Sequence, residues 1–227
     1  MAKLVESLLE SLAFHWPFDW IYFQYFLVFC RRSPKTFSFN NETYEYFYHK
    51  YNHTWRNERA VEIPIVKRIL EQNAGKKILE VGNVLSHYFE TNHDILDKYE
   101  QGKNIINQDI VDFKSPEKYD LIVSISTIEH VGFDENPKKP FKFIKTIDNL
   151  KRHLNPGGRI IMTFSLGYNS ELDKSFRENC LDLTKSFCLK RISKSNKWQE
   201  TTLQEAITFK YNYPYHAGNA VVIGIIQ

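Results

Sequence analysis

Between Lys76 and the C-terminus, short apolar runs recur with stretches of helical periodicity between them. Candidate strands are Lys77–Val81, Asp94–Asp97, Asn104–Gln108, Tyr119–Ile125, Arg159–Phe164, Phe187–Ile192 and Asn219–Ile226. Candidate helices are Asn83–Glu90, Phe141–His153 and Ser170–Cys180. Runs as continuous as "YDLIVSI" and "RIIMTF" have no polar face to give to water, so they belong in a parallel sheet covered on both sides. The alternation predicts an α/β fold with a doubly wound, mostly parallel sheet of seven strands. Ligands of such sheets lie over the carboxyl ends of the strands, at the switch point. Between Asp97 and Asn104 there is too little chain for a crossover helix, which leaves either short strands or one irregular turn.

At 227 residues and 42% apolar side chains, the chain can bury one such sheet with an appendage, and it is too apolar for wholesale disorder. The expected division is an aromatic-rich N-terminal extension over residues 1–56, capping the ligand site, and the sheet domain over 57–227. Within "NERAVEIPIVKRILEQNAGKK", Pro64 fits a first helical position. Ile65, Val66, Ile69 and Leu70 form one apolar face, and Gly75 marks the stop.

The 30 Lys and Arg nearly balance the 27 Asp and Glu, for a net charge of +3. Nucleic-acid binding requires a clustered basic footprint, so no nucleic-acid partner is expected. The basic stretch from Lys185 to Lys197, holding Lys190, Arg191 and Lys194, reads as a solvated edge. Cys30, Cys180 and Cys188 are unclustered and lack metal-ligand spacing, so no metal site is expected. They read as reduced thiols of a cytoplasmic protein, which makes the sequons at Asn41 and Asn52 chance matches.

Aromatic residues make up 15% of the chain, and "AFHWPFDWIYFQYFLVFCRR" (Ala13 to Arg32) is dense in them. Its cleanest apolar stretch, Trp20 to Cys30, is broken by Gln24 and preceded by Asp19, and is shorter than the roughly 20 apolar residues of a spanning helix. Glu6, Glu10 and the lack of a small-residue cleavage site after Cys30 argue against a signal peptide. Two readings stay open for residues 13–30: packing on its own domain or on a second copy in a homodimer, or peripheral contact with a bilayer surface.

The stretch "KKILEVGNVLSHYFE" opens like a nucleotide-binding strand and turn. A dinucleotide fingerprint beginning at Gly82 places glycine again at positions 84 and 87, where this chain has Val84 and His87. Dinucleotides set a pyrophosphate on the helix N-terminus, and side chains there obstruct it. The pattern therefore disfavours a nicotinamide-dependent oxidoreductase and leaves room for a phosphate-free ligand, with Gly82 supplying permissive backbone.

At the strand ends stand Glu80 and Gly82, then Asp97, then Asp109 in "NQDIVDF", then "SISTIEHVGFDE" and "SLGYN". Acids at three successive tips need something cationic or hydroxyl-bearing among them. In order and spacing these segments resemble the class I S-adenosylmethionine-dependent methyltransferases, from about Glu58 to the end of the chain. "ILEVG" is similar to their first motif, and Asp97 stands where the family has its ribose-binding acid. "QDIVDF" resembles the adenine segment. "YDLIVSISTIEHV" and "LKRHLNPGGRIIMTF" resemble the fourth and fifth strands, and "GNAVVIGIIQ" the antiparallel last strand. The family repeats glycine where Val84 and Ser86 stand here.

The resemblance implies S-adenosyl-L-methionine as cofactor, bound by Glu80, Gly82, Asn83, Asp97, Asp109, Ile110 and Ser126. Asp97 would meet the ribose hydroxyls and Asp109 the adenine amine. Glu80 would fix the turn and face the methionine ammonium. An oxygen acceptor loses a proton as it attacks, and His130 is the candidate base, or else a structural histidine. Glu129 is either the base or the group that orients it. A carboxylate acceptor needs no base, and then both position it.

The acceptor pocket is expected under Tyr48, Tyr51, Trp55 and Arg59, with Tyr168 and Asn169 after the fifth strand. Aromatic rings suit a sugar or a planar acceptor and Arg59 an anion; they equally suit ordinary packing. The expected activity is O-methylation of a sugar, glycan or other small molecule. The alternative is a non-catalytic scaffold that engages a partner through its aromatic N-terminus.

Overall fold

The computed structural model describes residues 24–30 and 33–227. The rest of the aromatic segment, including Arg31 and Arg32, lies outside the described residues, so the homodimer and bilayer readings rest largely on positions beyond them. Residues 24–30 are helical (α1). Tyr25, Phe26 and Phe29 pack on Trp55, with ring centroids 5.5, 5.9 and 4.8 Å away. No helix among the described residues is long and apolar enough to cross a membrane.

A hairpin follows that the sequence reading did not anticipate, β1 (Thr36–Phe39) and β2 (Glu42–Glu45). Its turn is Asn40-Asn41, both left-handed at φ 50° and 63°. That conformation suits a two-residue hairpin loop. Phe37 and Phe39 alternate inward and join the core beneath the sheet, so residues on both sides of position 56 share one core.

Helix α2 runs Arg59–Gln72. It starts at Arg59 rather than at Pro64, which lies inside it. Proline has no N–H for the carbonyl one turn back. That carbonyl, Ala60 O, instead accepts from Phe47 N at 3.0 Å, so the defect ties α2 to the segment after the hairpin.

The main sheet contains β3 (Ile78–Val81), β4 (Asp94–Asp97), β5 (Ile105–Asn107), β6 (Tyr119–Ile125), β7 (Leu154–Ser165), β8 (Lys185–Arg191), β9 (Trp198–Thr201) and β10 (Ala220–Ile226), in the order β5-β4-β3-β6-β7-β10-β8-β9. β5, β4, β3, β6 and β7 are parallel. β10 inserts antiparallel between β7 and β8, and β9 lies antiparallel on β8. The seven expected strands are all present, and β9 makes an eighth. α2 and the hairpin cover one face over Leu121, Val123, Ile125 and Ile161. α3 (Lys142–Arg152) and α4 (Ser170–Arg177) are the long helices between β6 and β8, and their Phe143, Ile147, Leu150, Leu172 and Phe176 cover the other face over Leu79, Ile122, Ile160 and Met162. The last helix is the single turn α5 (Leu203–Ala206). This is the Rossmann-like methyltransferase fold, with the antiparallel strand inside the sheet.

The crossovers on the β3–β5 side depart from expectation. In place of a helix over Asn83–Glu90 there is one 3₁₀ turn, Leu85–His87. Glu80, fully buried, draws the backbone down: its Oε1 accepts from Val84 N (2.9 Å) and Leu85 N (2.8 Å), and its Oε2 pairs with His93 Nε2 at 2.7 Å. The link from β4 to β5 is an irregular turn with Asn104 at φ 64°. Asn107 Nδ2 staples it by donating to the carbonyls of Asp97, Lys98 and Glu100 at 3.1, 2.9 and 3.0 Å.

Candidate active site

A cavity of about 350 Å³ opens over the tips of β3, β4 and β6. Its walls include Gly82, Asn83, Asp97, Lys98, Asp109, Ile110, Ser126, Thr127 and His130. Gly82 is required twice over. It has φ 81°, and a Cβ there would stand 2.2 Å from Thr127 Oγ1. At the β4 tip Asp97 accepts three backbone N–H groups, from Asn83 at 2.9 Å and from Tyr99 and Glu100 at 2.8 Å each. Its carboxylate thus shapes both loops of the cavity before any ligand arrives. Asn83 is held in turn by Glu100 at 2.6 Å and accepts from the Ser86 hydroxyl.

Asp109 lies opposite, 2.6 Å from Lys142 Nζ and 3.0 Å from Lys98 Nζ. Burial works to raise this carboxyl, but the hydrogen bonds from Lys142 and Lys98 prevail and hold it at about 2. Glu135 shares both lysines. Glu80 is absent from the wall because its carboxylate faces inward, under the turn. The expected trio of strand-tip acids therefore divides: Asp97 and Asp109 flank the cavity, and Glu80 braces it from below.

A second cavity of about 210 Å³ adjoins the first, and the two share Ser126 and His130. Asn52, Asn57, Glu58, Arg59, Glu129, Tyr168, Tyr211, His216 and Ala217 complete its walls. His130 Nδ1 is 2.5 Å from Asp134 Oδ2, and the same oxygen accepts from Tyr168 OH at 2.8 Å. A carboxylate so placed fixes the ring and leaves Nε2 as its other polar atom. Glu129 is buried; its Oε1 accepts from Ser165 N at 3.1 Å, while Oε2 has no partner. Burial, reinforced by nearby Glu62, pushes Glu129 up to about 8. Its carboxyl therefore favours the protonated, neutral form.

Glu62 lies behind the wall, fully buried, and burial raises it as well, against the lowering effect of Arg59. Its Oε1 accepts from Ser126 Oγ at 2.6 Å. Arg59 Nη1 donates to Ile125 O at 2.7 Å and lies 3.4 Å from Glu62, so the guanidinium expected to meet an anion is engaged with the strand end.

Of the expected acceptor residues, Arg59 and Tyr168 line the second cavity. The others face elsewhere. Tyr48 donates to Pro34 O at 3.0 Å and stacks on Tyr46. Tyr51 is exposed and stacks on His87. Trp55 is buried under α1. Asn169 caps α4 and donates to Glu129 O at 2.8 Å, a support rather than a wall. Sequence reasoning missed Asp134, Tyr211, Lys98 and Lys142. The four-residue spacing of His130 and Asp134 was a usable signal; nothing local marks Tyr211 or Lys142.

No protein-family model matches this chain, and no curated protein matches it. Similar solved structures include the N-methyltransferase NodS from Bradyrhizobium japonicum WM9 with S-adenosyl-L-homocysteine, at 13% identity over 74% of this chain and 85% of that one, TM-score 0.48. A TehB-like SAM-dependent methyltransferase from Corynebacterium glutamicum shares 17% identity over 70% and 85%, TM-score 0.41. The sugar N-methyltransferase KedS8 from Streptoalloteichus sp. shares 12% over 74% and 87%, TM-score 0.38. Likenesses this distant do not bear on what this chain acts upon.

Proposed function

We propose that this chain is an S-adenosylmethionine-dependent methyltransferase that methylates an oxygen of a sugar or another small polyhydroxylated molecule. The observation that carries the reading is the junction of the two cavities at Ser126 and His130. The first is suited to an adenosyl sulfonium: Asp97 and Asp109 flank it, Gly82 lets the backbone approach, and no helix N-terminus demands a phosphate. Asp97 would accept from ribose hydroxyls. Asp109, balanced by its lysines, would accept from the adenine amine. Bound there, the cofactor supplies an electrophilic methyl group.

The second cavity is walled by amides, phenols and carboxyls, the groups that hydroxyl-rich acceptors pair with. Methyl transfer is an in-line displacement, so holding the acceptor oxygen on the line of attack supplies much of the rate. His130, oriented by Asp134, would take the hydroxyl proton, and Glu129 would position a neighbouring oxygen. Calorimetry with S-adenosylhomocysteine tests the first half, with micromolar-range binding expected and no heat at millimolar ligand removing the assignment. Transfer of labelled methyl from the donor to a panel of glycosides tests the second.

A further inference from the structure

Within the basic stretch that reads in sequence as a solvated edge, Lys185, Lys194 and Lys197 are exposed, but Arg191 is not. Arg191, ending β8, is 5% exposed. Four carbonyls fix its guanidinium: Nη1 donates to Arg56 O (2.8 Å) and His216 O (2.9 Å), Nε to Ser193 O (3.3 Å) and Nη2 to Lys194 O (3.4 Å). It lies over the Tyr215 ring at 4.9 Å. Carbonyls orient a cation without cancelling its charge, and Glu58 acts on it through the field rather than by a hydrogen bond. Burial pushes the guanidinium down to about 10. The fold thus keeps a cation dry at a cost in desolvation.

Beside it a groove leads out of the acceptor cavity. A hollow of about 270 Å³ shares Asn52, Asn57 and His216 with that cavity. A further one of about 280 Å³ shares Arg56 and His216 with the hollow. Arg56, over the Trp55 ring at 5.4 Å, stands here with Arg191 and Lys194, flanked by Tyr25, Phe29 and Tyr215. None of the described residues lining either hollow is Asp or Glu, whereas the acceptor cavity carries Glu58 and Glu129. Acids are thus confined to the acceptor-cavity end of this path, and the charged side chains described along the groove are cations. Guanidinium planes set on rings, with an ammonium beside them, are the groups that recognise phosphate.

We propose that this groove holds a phosphate group carried by the acceptor, so that the unit to be methylated enters the polar cavity while its phosphate lies among Arg56, Arg191 and Lys194. The acceptor class is then a sugar phosphate, or a sugar joined through phosphate to a larger group. The assignment rests on the methyltransferase reading for the identity of the cavity the groove leaves.

Lys194 is exposed and lines neither the donor nor the acceptor cavity, so Lys194→Ala and Lys194→Glu leave the fold intact; Arg191, bound to four carbonyls, is the poorer choice. Protein saturated with S-adenosylhomocysteine is titrated with inorganic pyrophosphate, with uridine diphosphate, and with phosphatidylcholine vesicles with and without phosphatidic acid. Binding is expected to weaken about tenfold in Lys194→Ala, the loss of one charged hydrogen bond. It should weaken further in Lys194→Glu and with added salt, while affinity for S-adenosylhomocysteine stays unchanged. Preference for the diphosphate over phosphatidic acid vesicles identifies a soluble acceptor, and the reverse a lipid-linked one. If none of these probes binds, or if Lys194→Glu binds them as tightly as the parent, the groove is not a phosphate site. Failure of S-adenosylhomocysteine to bind removes the methyltransferase reading instead, and is read separately.

Discussion

The two cavities meet at two residues and are built on opposite principles. Around the first cavity, proposed for the donor, the acids are already answered: Asp97 by three backbone N–H groups, Asp109 and Glu135 by Lys98 and Lys142. Around the acceptor cavity Glu129 keeps an unpartnered oxygen, and it is buried near a second acid, Glu62. The first is a finished receptor that a ligand completes at little cost. The second holds polar groups in deficit, and burying a polar group without a partner costs on the order of 1–3 kcal/mol. A ligand that supplies the missing hydrogen bond recovers that energy, and this makes a site selective.

The sharpest break of this contrast comes at the junction. His130→Ala should leave S-adenosylhomocysteine affinity unchanged and lower turnover by roughly 10²–10⁴-fold, the usual scale for a lost general base; undiminished turnover would take the histidine out of the chemistry. On the donor side, Asp97→Ala should weaken S-adenosylhomocysteine binding by about 10–100-fold, since charged hydrogen bonds are lost and two loops loosen. Equal affinity in calorimetry would mean that Asp97 is not at the ligand.

On the acceptor side the prediction concerns pH. Glu129 is raised in the fold to about 8 from its ordinary value of 4.5, so over that window the native state holds a proton the unfolded chain has released. Its contribution is intact below about pH 4.5 and is lost as pH rises towards 8, by on the order of 1 kcal/mol per unit at most. Glu129→Gln should flatten that decline in urea-unfolding stability, and an identical slope in the two proteins would refute the neutral acid. The smallest effect belongs to a residue in neither cavity: Tyr51→Ala should shift stability by no more than about 0.5 kcal/mol and leave turnover unchanged.

The same division governs what could be read in advance. Much of the first cavity's wall was legible because Gly82, Asp97 and Asp109 each follow their own strand within a few residues, so the apolar run announces the tip that carries them. The second cavity was not, because its walls come from Asn52–Arg59, Ser126–His130, Tyr168 and Tyr211–Ala217, and only the closed sheet brings these together. Aromatic density drew attention to Tyr48, which stacks on Tyr46, and to Trp55, which lies under α1 and lines the outer hollow rather than the acceptor cavity. The β1–β2 hairpin was legible in principle, since "FSFNNETYE" alternates around two asparagines. β9 was not, because four residues with an exposed middle pair carry little pattern. The missing helix after β3 could not be foreseen either: an acid inside a strand gives no sign from sequence that it will bend the next turn beneath itself.

That buried acid settles why the turn dispenses with repeated glycine. Hung from Glu80 below, the loop owes its course to an anchor in the interior rather than to bare backbone at its crest, so Val84 and Ser86 are free to bear side chains. Change at the crest should therefore be cheap and change at the anchor ruinous, the reverse of the usual economy of glycine-rich loops.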